Sequence, residues 1–208
     1  MKFIKTYEKF NNKDILLIVD VQESFDKYFT PKYLEELKKH CQNFSKVYQI
    51  WDNHHLGKNP DKDYLYDVEP DLESKSNLYE FPNQLDVIEK RYTYDVDADF
   101  FKKVLDENTY SEIKSKEGEL KKGEYYPTTE GTIIVFIGNK HQWFHVPKKL
   151  YEVFDELRQA QRDNVNIEIV GGAMGECLED IVITAKSLGL DIIENKDYIW
   201  SADNCPIS

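Results

Sequence analysis

The chain has 208 residues and a formal net charge of −12 at pH 7. This length predicts a single domain, spanning residues 1–208, with a substantial core. An excess of negative charge repels nucleic-acid phosphates and anionic membranes, so we expect no nucleic-acid and no membrane partner, but a small molecule or another protein. No apolar run reaches the length that spans a bilayer.

The N-terminal sequence and the cysteines indicate the compartment. Residues 1–14, MKFIKTYEKFNNKD, are too polar and charged for the apolar region of a signal peptide. The cysteines Cys41, Cys177 and Cys205 show no close-spaced metal pattern, and an odd number fits a reducing compartment better than a disulfide framework. We therefore expect a cytoplasmic protein without disulfides.

The first part of the chain predicts strands and a helix in alternation. Asp14–Val21, DILLIVDV, is a continuous apolar run typical of a strand covered on both faces. A helix is predicted from Pro31, because Thr30 suits the N-cap and apolar residues then recur at helical spacing. Further strands are predicted at Val47–Asp52 and Leu85–Lys90, separated by a polar and aromatic surface excursion.

The second part of the chain continues this pattern. Residues 96–108 predict a helix, residues 109–130 are charged and turn-rich, and residues 132–138, TIIVFIG, predict a strand. Residues 146–164 predict an amphipathic helix, and residues 166–172, NIEIVGG, a buried strand. The alternation predicts a three-layer α/β/α fold of Rossmann-type topology with a mostly parallel central sheet, in which ligands collect at the carboxyl ends of the strands.

Three predicted strands end next to residues that can do chemistry. Asp20 ends the first strand, Lys90 ends the third, and a glycine-rich turn after NIEIV leads to Cys177. Backbone N–H groups at a helix start, the helix dipole and a nearby lysine all favour a thiolate. Asp20 would move the thiol proton to a leaving amine. Taken singly, the three residues are better explained as a buried thiol, a capping carboxylate and a solvated amine, and only their combination favours a catalytic site.

These motifs resemble those of the isochorismatase-like cysteine hydrolases, the superfamily of nicotinamidases and N-carbamoylsarcosine amidase. ILLIVDVQESF resembles the family's first strand and D-x-Q-x-x-F signature, VIEK its lysine strand, and GGAMGECLEDIVITAKSLGLDI its nucleophile segment. The motifs occur in the family's order over about half of the chain. The resemblance implies a catalytic triad of Asp20, Lys90 and Cys177.

The resemblance also implies the surroundings of the nucleophile. The backbone N–H groups of Ala173 and Cys177 would form an oxyanion hole, and the peptide bond between Gly172 and Ala173 would be cis. Gln22 and Phe25 would line the substrate pocket. The family usually forms dimers or tetramers, so a homo-oligomer is expected.

The metal motif of nicotinamidases is only partly present. Asp52 and His54 align with the aspartate and histidine that hold a metal beside the substrate ring. The family's further histidines are absent downstream, and a stable zinc site needs three or four ligands. We therefore expect no required cofactor, with Asp52 and His54 as candidate zinc ligands and His54 equally a candidate for direct substrate contact.

Two segments depart from the family pattern. Residues 108–143 are longer than its usual connection and are interpreted as an inserted arm, either a surface or dimer contact or a lid over the pocket. The turn before the nucleophile has Gly172 where valine or leucine is common, and Met174 and Gly175 where threonine and aspartate are common. Such a turn is expected to hold the oxyanion donors less firmly.

Three functions follow as hypotheses. The first is a hydrolase of C–N bonds, in which Cys177 attacks a carboxamide or carbamoyl carbon, Asp20 protonates the amine and water releases the acyl-enzyme. Nicotinamide is the simplest candidate substrate. The second is isochorismate cleavage, but that branch acts on a vinyl ether and needs no thiol. The third is a non-catalytic member of the fold that binds a small molecule or a protein.

Overall fold

The structure, a computed structural model, describes residues 13–52, 77–90, 107–116, 125–127, 132–137 and 142–207. The strands within these ranges are β1 (Ile15–Val19), β2 (Lys46–Asp52), β3 (Gln84–Lys90), β4 (Tyr125–Pro127), β5 (Thr132–Ile137), β6 (Gln142–Pro147), β7 (Ile167–Gly171) and β8 (Ile193–Ile199). The α-helices are α1 (Pro31–Cys41), α2 (Glu107–Lys116), α3 (Lys148–Arg162) and α4 (Cys177–Ser187). A 3-10 helix covers Glu23–Tyr28.

A five-stranded parallel sheet forms the centre of the described structure, in the order β3–β2–β1–β7–β8. Its middle strand β1 is buried along its whole length. Successive side chains of β1 point to opposite faces, so Leu17 packs into one apolar cluster and Leu16 into another. A strand buried on both faces must be covered on both, as the continuous apolar sequence predicts.

The helices supply the two covering layers. Apolar residues of α3 and α4 pack into the cluster that contains Leu17, and those of α1 pack into the cluster that contains Leu16. The predicted three-layer α/β arrangement with a mostly parallel sheet is therefore confirmed. All five strands of this sheet run the same way, so their carboxyl ends lie along one edge.

The first helix begins as its sequence predicts. Thr30 is the N-cap of α1, and its Oγ1 accepts a hydrogen bond from the Tyr33 backbone N–H at 3.1 Å. Pro31 occupies the first turn, where its missing N–H costs no helical bond. The Thr30 hydroxyl also donates to the Ile207 carbonyl at 2.8 Å, which attaches the C-terminal segment to this end of the helix.

The arm differs from the sequence prediction. Helix α2, Glu107–Lys116, extends into the segment 109–130 that was predicted as turn-rich, and its sequence ENTYSEIKSK contains several good helix formers. The strand predicted at TIIVFIG forms as β5, but it belongs to a separate antiparallel sheet in the order β4–β5–β6. The prediction of strict strand–helix alternation is wrong here, because the short connections of β5 to its neighbours suit antiparallel pairing.

Three strands were not predicted from the sequence: the short β4, β6 and β8. β6 lies where a helix start was expected at Val146, and α3 begins only at Lys148. β8, IENKDYI, is the edge strand beside β7, and most of its residues are exposed or half-buried. Its polar composition hides it from a search for apolar runs. The helix predicted at residues 96–108 lies outside the described residues except for its last two.

No helix in the described part of the chain combines the length and the apolar composition that a membrane crossing requires.

Candidate active site

Asp20 and Lys90 form a buried ion pair at the carboxyl edge of the central sheet. Lys90 Nζ lies 2.6 Å from Asp20 Oδ2, and the two side chains are only 5% and 1% exposed. Asp20 follows β1 and Lys90 ends β3, so the pair spans the intervening strand β2. Both residues predicted for the triad at these strand ends are thus in direct contact.

The backbone at Asp20 is unusual. Its φ of 52° lies in the left-handed region, which residues with a side chain adopt rarely and which is found often at functional sites. Its N–H donates to the Ile50 carbonyl of β2 at 2.9 Å, so the bend is anchored to the neighbouring strand. The strand therefore turns sharply at the residue that carries the carboxylate.

The segment after Asp20 is held by polar side chains. The Gln49 amide, buried in β2, donates to the Val21 carbonyl at 3.0 Å. Gln22 is also buried, donates to Ser24 Oγ at 2.9 Å, and forms an antiparallel bridge with Leu78. Of the predicted pocket residues, Gln22 thus lies in the interior directly beside the bend.

Phe25, the second predicted pocket residue, belongs to an aromatic cluster on the same side of the sheet as α1. Its ring centroid lies 5.8 Å from that of Trp200 and 6.2 Å from that of Tyr28. Phe25 is half-buried, and Trp200 follows β8 at the same edge of the sheet as Asp20. The cluster therefore adjoins the strand ends at which the ion pair lies.

The turn after β7 comes very close to β1. Gly171 has φ of +103°, and a Cβ built on it would lie 2.0 Å from the Val19 carbonyl oxygen. Gly172 donates its N–H to the same oxygen at 3.0 Å. Only glycine fits at position 171, because both the backbone angle and the space exclude a side chain. The peptide bond between Gly172 and Ala173 is cis, as the resemblance implied.

The first half of this turn is closely packed at Gly172. A Cβ on Gly172 would lie 2.2 Å from Trp200 Cε2, so the indole ring fills the space that valine or leucine would need. Met174 N–H donates to the Trp200 carbonyl at 2.9 Å, and Trp200 N–H donates to the Gly171 carbonyl at 2.9 Å. The glycine at position 172 thus accommodates a tryptophan, whereas Met174 is exposed and a Cβ on Gly175 would have no atom within 4 Å. The looser hold on the oxyanion donors stays a prediction.

Cys177, the predicted nucleophile, is the first residue of α4, is half-buried and is not part of a disulfide. It follows β7, which pairs with β1 so that Gly171 lies opposite Val19. Asp20 and the turn to Cys177 therefore leave adjacent strands at the same edge. The helix N-terminus favours a thiolate, while the acidic residues Glu179 and Asp180 in the first turn oppose it.

The predicted oxyanion donors lie in a hydrogen-bonded loop. Ala173 is buried, and its carbonyl accepts from the N–H groups of Glu176 and Leu178, both at 3.2 Å. These bonds bracket Cys177 and tie its position to that of Ala173. Ala173 and Cys177 thus belong to one hydrogen-bonded turn, and the role of their N–H groups as oxyanion donors stays a prediction.

The other two thiols are in different surroundings. Cys41 is fully buried in α1, and burial raises the pKa of its thiol to about 12. Cys205 is half-buried, and its thiol donates to the Ile207 carbonyl at 3.5 Å. Among the three cysteines, only Cys177 begins a helix at the carboxyl edge of the central sheet.

Of the two predicted zinc ligands, the structure describes only the backbone of Asp52. His54 lies outside the described residues, and Asp52 is described as the last backbone position of β2, opposite Lys90 in β3. Among the side chains that the structure describes, no group of three His, Cys, Asp or Glu residues could hold a metal ion. The role of Asp52 and His54 stays a prediction.

Two residues that shape the site were missed in the sequence. Gln49 interrupts the apolar strand sequence VYQIWD, and a buried amide inside a strand is the signal that could have identified it. Trp200 follows the unpredicted strand β8, so nothing local connected it to the nucleophile turn.

Comparisons of this chain with known protein families, with curated proteins and with solved structures found no match.

Proposed function

We propose that the protein is a cysteine hydrolase of the isochorismatase-like type, cleaving a C–N bond in a small carboxamide or carbamoyl compound. The main support is the buried Asp20–Lys90 pair at 2.6 Å. It lies at the sheet edge where a braced turn leads to the half-buried thiol of Cys177. A buried ion pair at the sheet edge from which the Cys177 helix is reached is costly for folding alone and useful for proton transfer.

The proposed reaction divides the work among these groups. Asp20 accepts the thiol proton, and Cys177 Sγ forms a bond to the carbonyl carbon. The resulting oxyanion accepts hydrogen bonds from the N–H groups of Ala173 and Cys177. Asp20 returns the proton to the nitrogen as the C–N bond breaks and the amine leaves. Water then attacks the thioester, with Asp20 as base, and releases the acid and the thiol.

Lys90 has an electrostatic part in this scheme. Its ammonium lies against the Asp20 carboxylate in a nearly water-free position, where charge interactions are stronger than in water. It stabilises the ionised carboxylate and any thiolate that forms close by. The scheme uses no metal and no cofactor. It requires a reduced thiol, which fits a cytoplasmic protein. We also propose that the protein acts as a homo-oligomer.

The test is ammonia release from a panel of small primary amides and carbamoyl compounds, with nicotinamide included. We expect turnover of at least one compound by the natural chain, and a loss of about a thousandfold or more in Cys177→Ser. Cys205→Ser is the matched control, because Cys205 is also a half-buried free thiol. Near-normal amidase activity in Cys177→Ser would exclude the thiol mechanism.

The same panel separates the competing functions. Hydrolysis of isochorismate that survives Cys177→Ser would favour the non-thiol branch of the superfamily. Absence of turnover with every compound, together with slow alkylation of Cys177 at neutral pH, would favour a non-catalytic binder.

A further inference from the structure

Trp200 contacts the turn between β7 and Cys177 through both its main chain and its side chain. Through its main chain it accepts from Met174 N–H and donates to the Gly171 carbonyl, both at 2.9 Å. Through its side chain it lies against Gly172, where an added Cβ would be only 2.2 Å from Cε2. These contacts fall on both sides of Ala173, one of the proposed oxyanion donors. A shift of Trp200 must therefore move the turn.

The indole ring is itself fixed by aromatic neighbours. It stacks on Tyr28 with ring centroids 5.3 Å apart and planes 7° apart. Phe25 and Phe29 lie at 5.8 and 6.0 Å in tilted arrangements. The side chain is 1% exposed. The Trp200 ring is thus packed between the 3-10 helix that follows Asp20 and the turn that precedes Cys177.

The described contacts of the Trp200 side chain are made by its ring and not by its indole nitrogen. Trp200 Nε1 is buried and finds no hydrogen-bond acceptor among the residues that the structure describes. An unsatisfied buried N–H costs roughly 1–3 kcal/mol, so tryptophan is an expensive choice for filling a core. A smaller apolar side chain would avoid that cost but would leave the space above Gly172 empty.

We propose that Trp200 is a positioning residue for acyl transfer, which holds the turn so that the N–H groups of Ala173 and Cys177 face the developing oxyanion. This role rests on the proposed function and extends it to a residue outside the triad. It predicts that altering Trp200 weakens reactions of Cys177 that create an oxyanion and leaves other reactions of the same thiol unchanged.

Two reagents distinguish these reactions. With p-nitrophenyl acetate, Cys177 Sγ forms a bond to the acetyl carbonyl carbon and p-nitrophenolate leaves after an oxyanion has formed. With iodoacetamide, Sγ displaces iodide from a saturated carbon and no oxyanion forms. The ratio of the two rates therefore reports oxyanion stabilisation separately from the reactivity of the thiol.

We expect Trp200→Leu and Trp200→Phe to lower the acylation rate of Cys177 by about 10- to 100-fold, less than the loss of a donor outright, while alkylation stays within about twofold. Phe44→Leu is the control, since Phe44 is buried in the same apolar cluster but its ring packs on His40. An equal fall of both rates would mean a general structural role, and unchanged acylation would also overturn the proposal.

A second pair of variants tests the contact itself. Gly172→Ala places a methyl group against the indole and should lower acylation. Adding Trp200→Leu should restore part of the rate, because the smaller side chain leaves room for the methyl group. No recovery in the double variant would contradict a positioning role through this contact. If the natural chain shows no Cys177-dependent acylation, the proposed function fails, and the role of Trp200 fails with it.

Discussion

Lys90 Nζ lies 2.6 Å from Asp20 Oδ2, although the two residues end strands that are separated in the sheet by β2. The free-energy cost of desolvating two charges offsets much of their attraction. A protein with apolar residues in such positions is therefore often equally stable. Removing one partner alone is far more costly, because the other charge is then buried without compensation. The pair therefore adds little to the stability of the fold, and a role in chemistry explains its position better.

The first prediction concerns this pair. Asp20→Asn should lower the free energy of unfolding by about 3 kcal/mol, because Lys90 keeps its charge in a buried position. Adding Lys90→Met should recover part of that loss. Glu156→Gln is the control, since Glu156 pairs with Lys46 at 2.8 Å on the exposed surface, where such pairs contribute about 0–1 kcal/mol. Equal effects of the two carboxylate changes in urea denaturation would refute the argument.

The second prediction concerns the thiols. Iodoacetamide should modify Cys177 at neutral pH, and Lys90→Met should move this reaction to higher pH, because the cation that favours a thiolate is lost. Cys41 should stay unmodified in the folded chain, since burial raises its pKa to about 12. Mass spectrometry of peptides after alkylation at several pH values gives the three rates separately. Modification of Cys41 as fast as Cys177 would contradict the assignment.

The sequence predicts the elements whose signals are local. The apolar run of β1 forms a strand, and α1 has Thr30 as its N-cap and Pro31 as its first residue. Both elements occur as expected. The ion pair was also predictable in outline, because Asp20 and Lys90 end parallel strands. For these features the chain contains the relevant pattern within a few neighbouring residues.

The missed features depend on contacts between distant parts of the chain. The polar edge strand β8 forms because β7 offers it a partner, and its composition alone does not indicate a strand. The Trp200 ring fits only because Gly172 has no side chain, and the pairing of β7 with β8 brings the two residues together. The antiparallel arrangement of β5 likewise depends on β4 and β6 and not on its own apolar sequence. Local patterns do not contain such information.

The third prediction separates two reasons why alanine in place of a glycine destabilises the fold: the backbone angle and the space for a methyl group. Gly171→Ala should prevent normal folding or destabilise the chain by several kcal/mol, because it combines φ of +103° with a methyl group 2.0 Å from the Val19 oxygen. Gly189→Ala is the matched control, with φ of +87° and no atom within 4 Å of the added Cβ. Its cost should be about 1–2 kcal/mol, from the backbone angle alone. Similar midpoints of thermal unfolding would contradict the close approach of β7 to β1.

The fourth prediction concerns a buried pair away from the candidate site. His40 Nε2 lies 2.6 Å from Glu168 Oε1, and the His40 ring stacks on Tyr198 at 4.4 Å. His40→Ala should lower the free energy of unfolding by about 3 kcal/mol, because Glu168 stays buried and keeps only its Asn195 hydrogen bond. Lys39→Ala, on the exposed side of the same helix, should have little effect. A comparable loss in both variants would contradict the role of the pair.

The last prediction concerns alkaline pH. Burial raises the pKa of the Cys41 thiol from its ordinary value of 9.0 to about 12, so the folded state holds this proton more tightly than the unfolded state. The contribution to stability is complete below pH 9 and is lost as the pH rises toward 12. Burial also raises the pKa of Tyr33 well above its ordinary value of 10.0, which adds a second loss that begins as the pH rises past 10.

Cys41→Ala isolates the first of these losses. The natural chain should lose about 1 kcal/mol of unfolding free energy between pH 9 and pH 10 through this thiol, whereas Cys41→Ala should lose less over that interval. Each variant is compared with its own stability at neutral pH, which removes the cost of the substitution itself. Cys205→Ala keeps Cys41 and should follow the natural chain. Parallel curves for the natural chain and Cys41→Ala in urea denaturation would show that Cys41 does not retain its proton in the folded state.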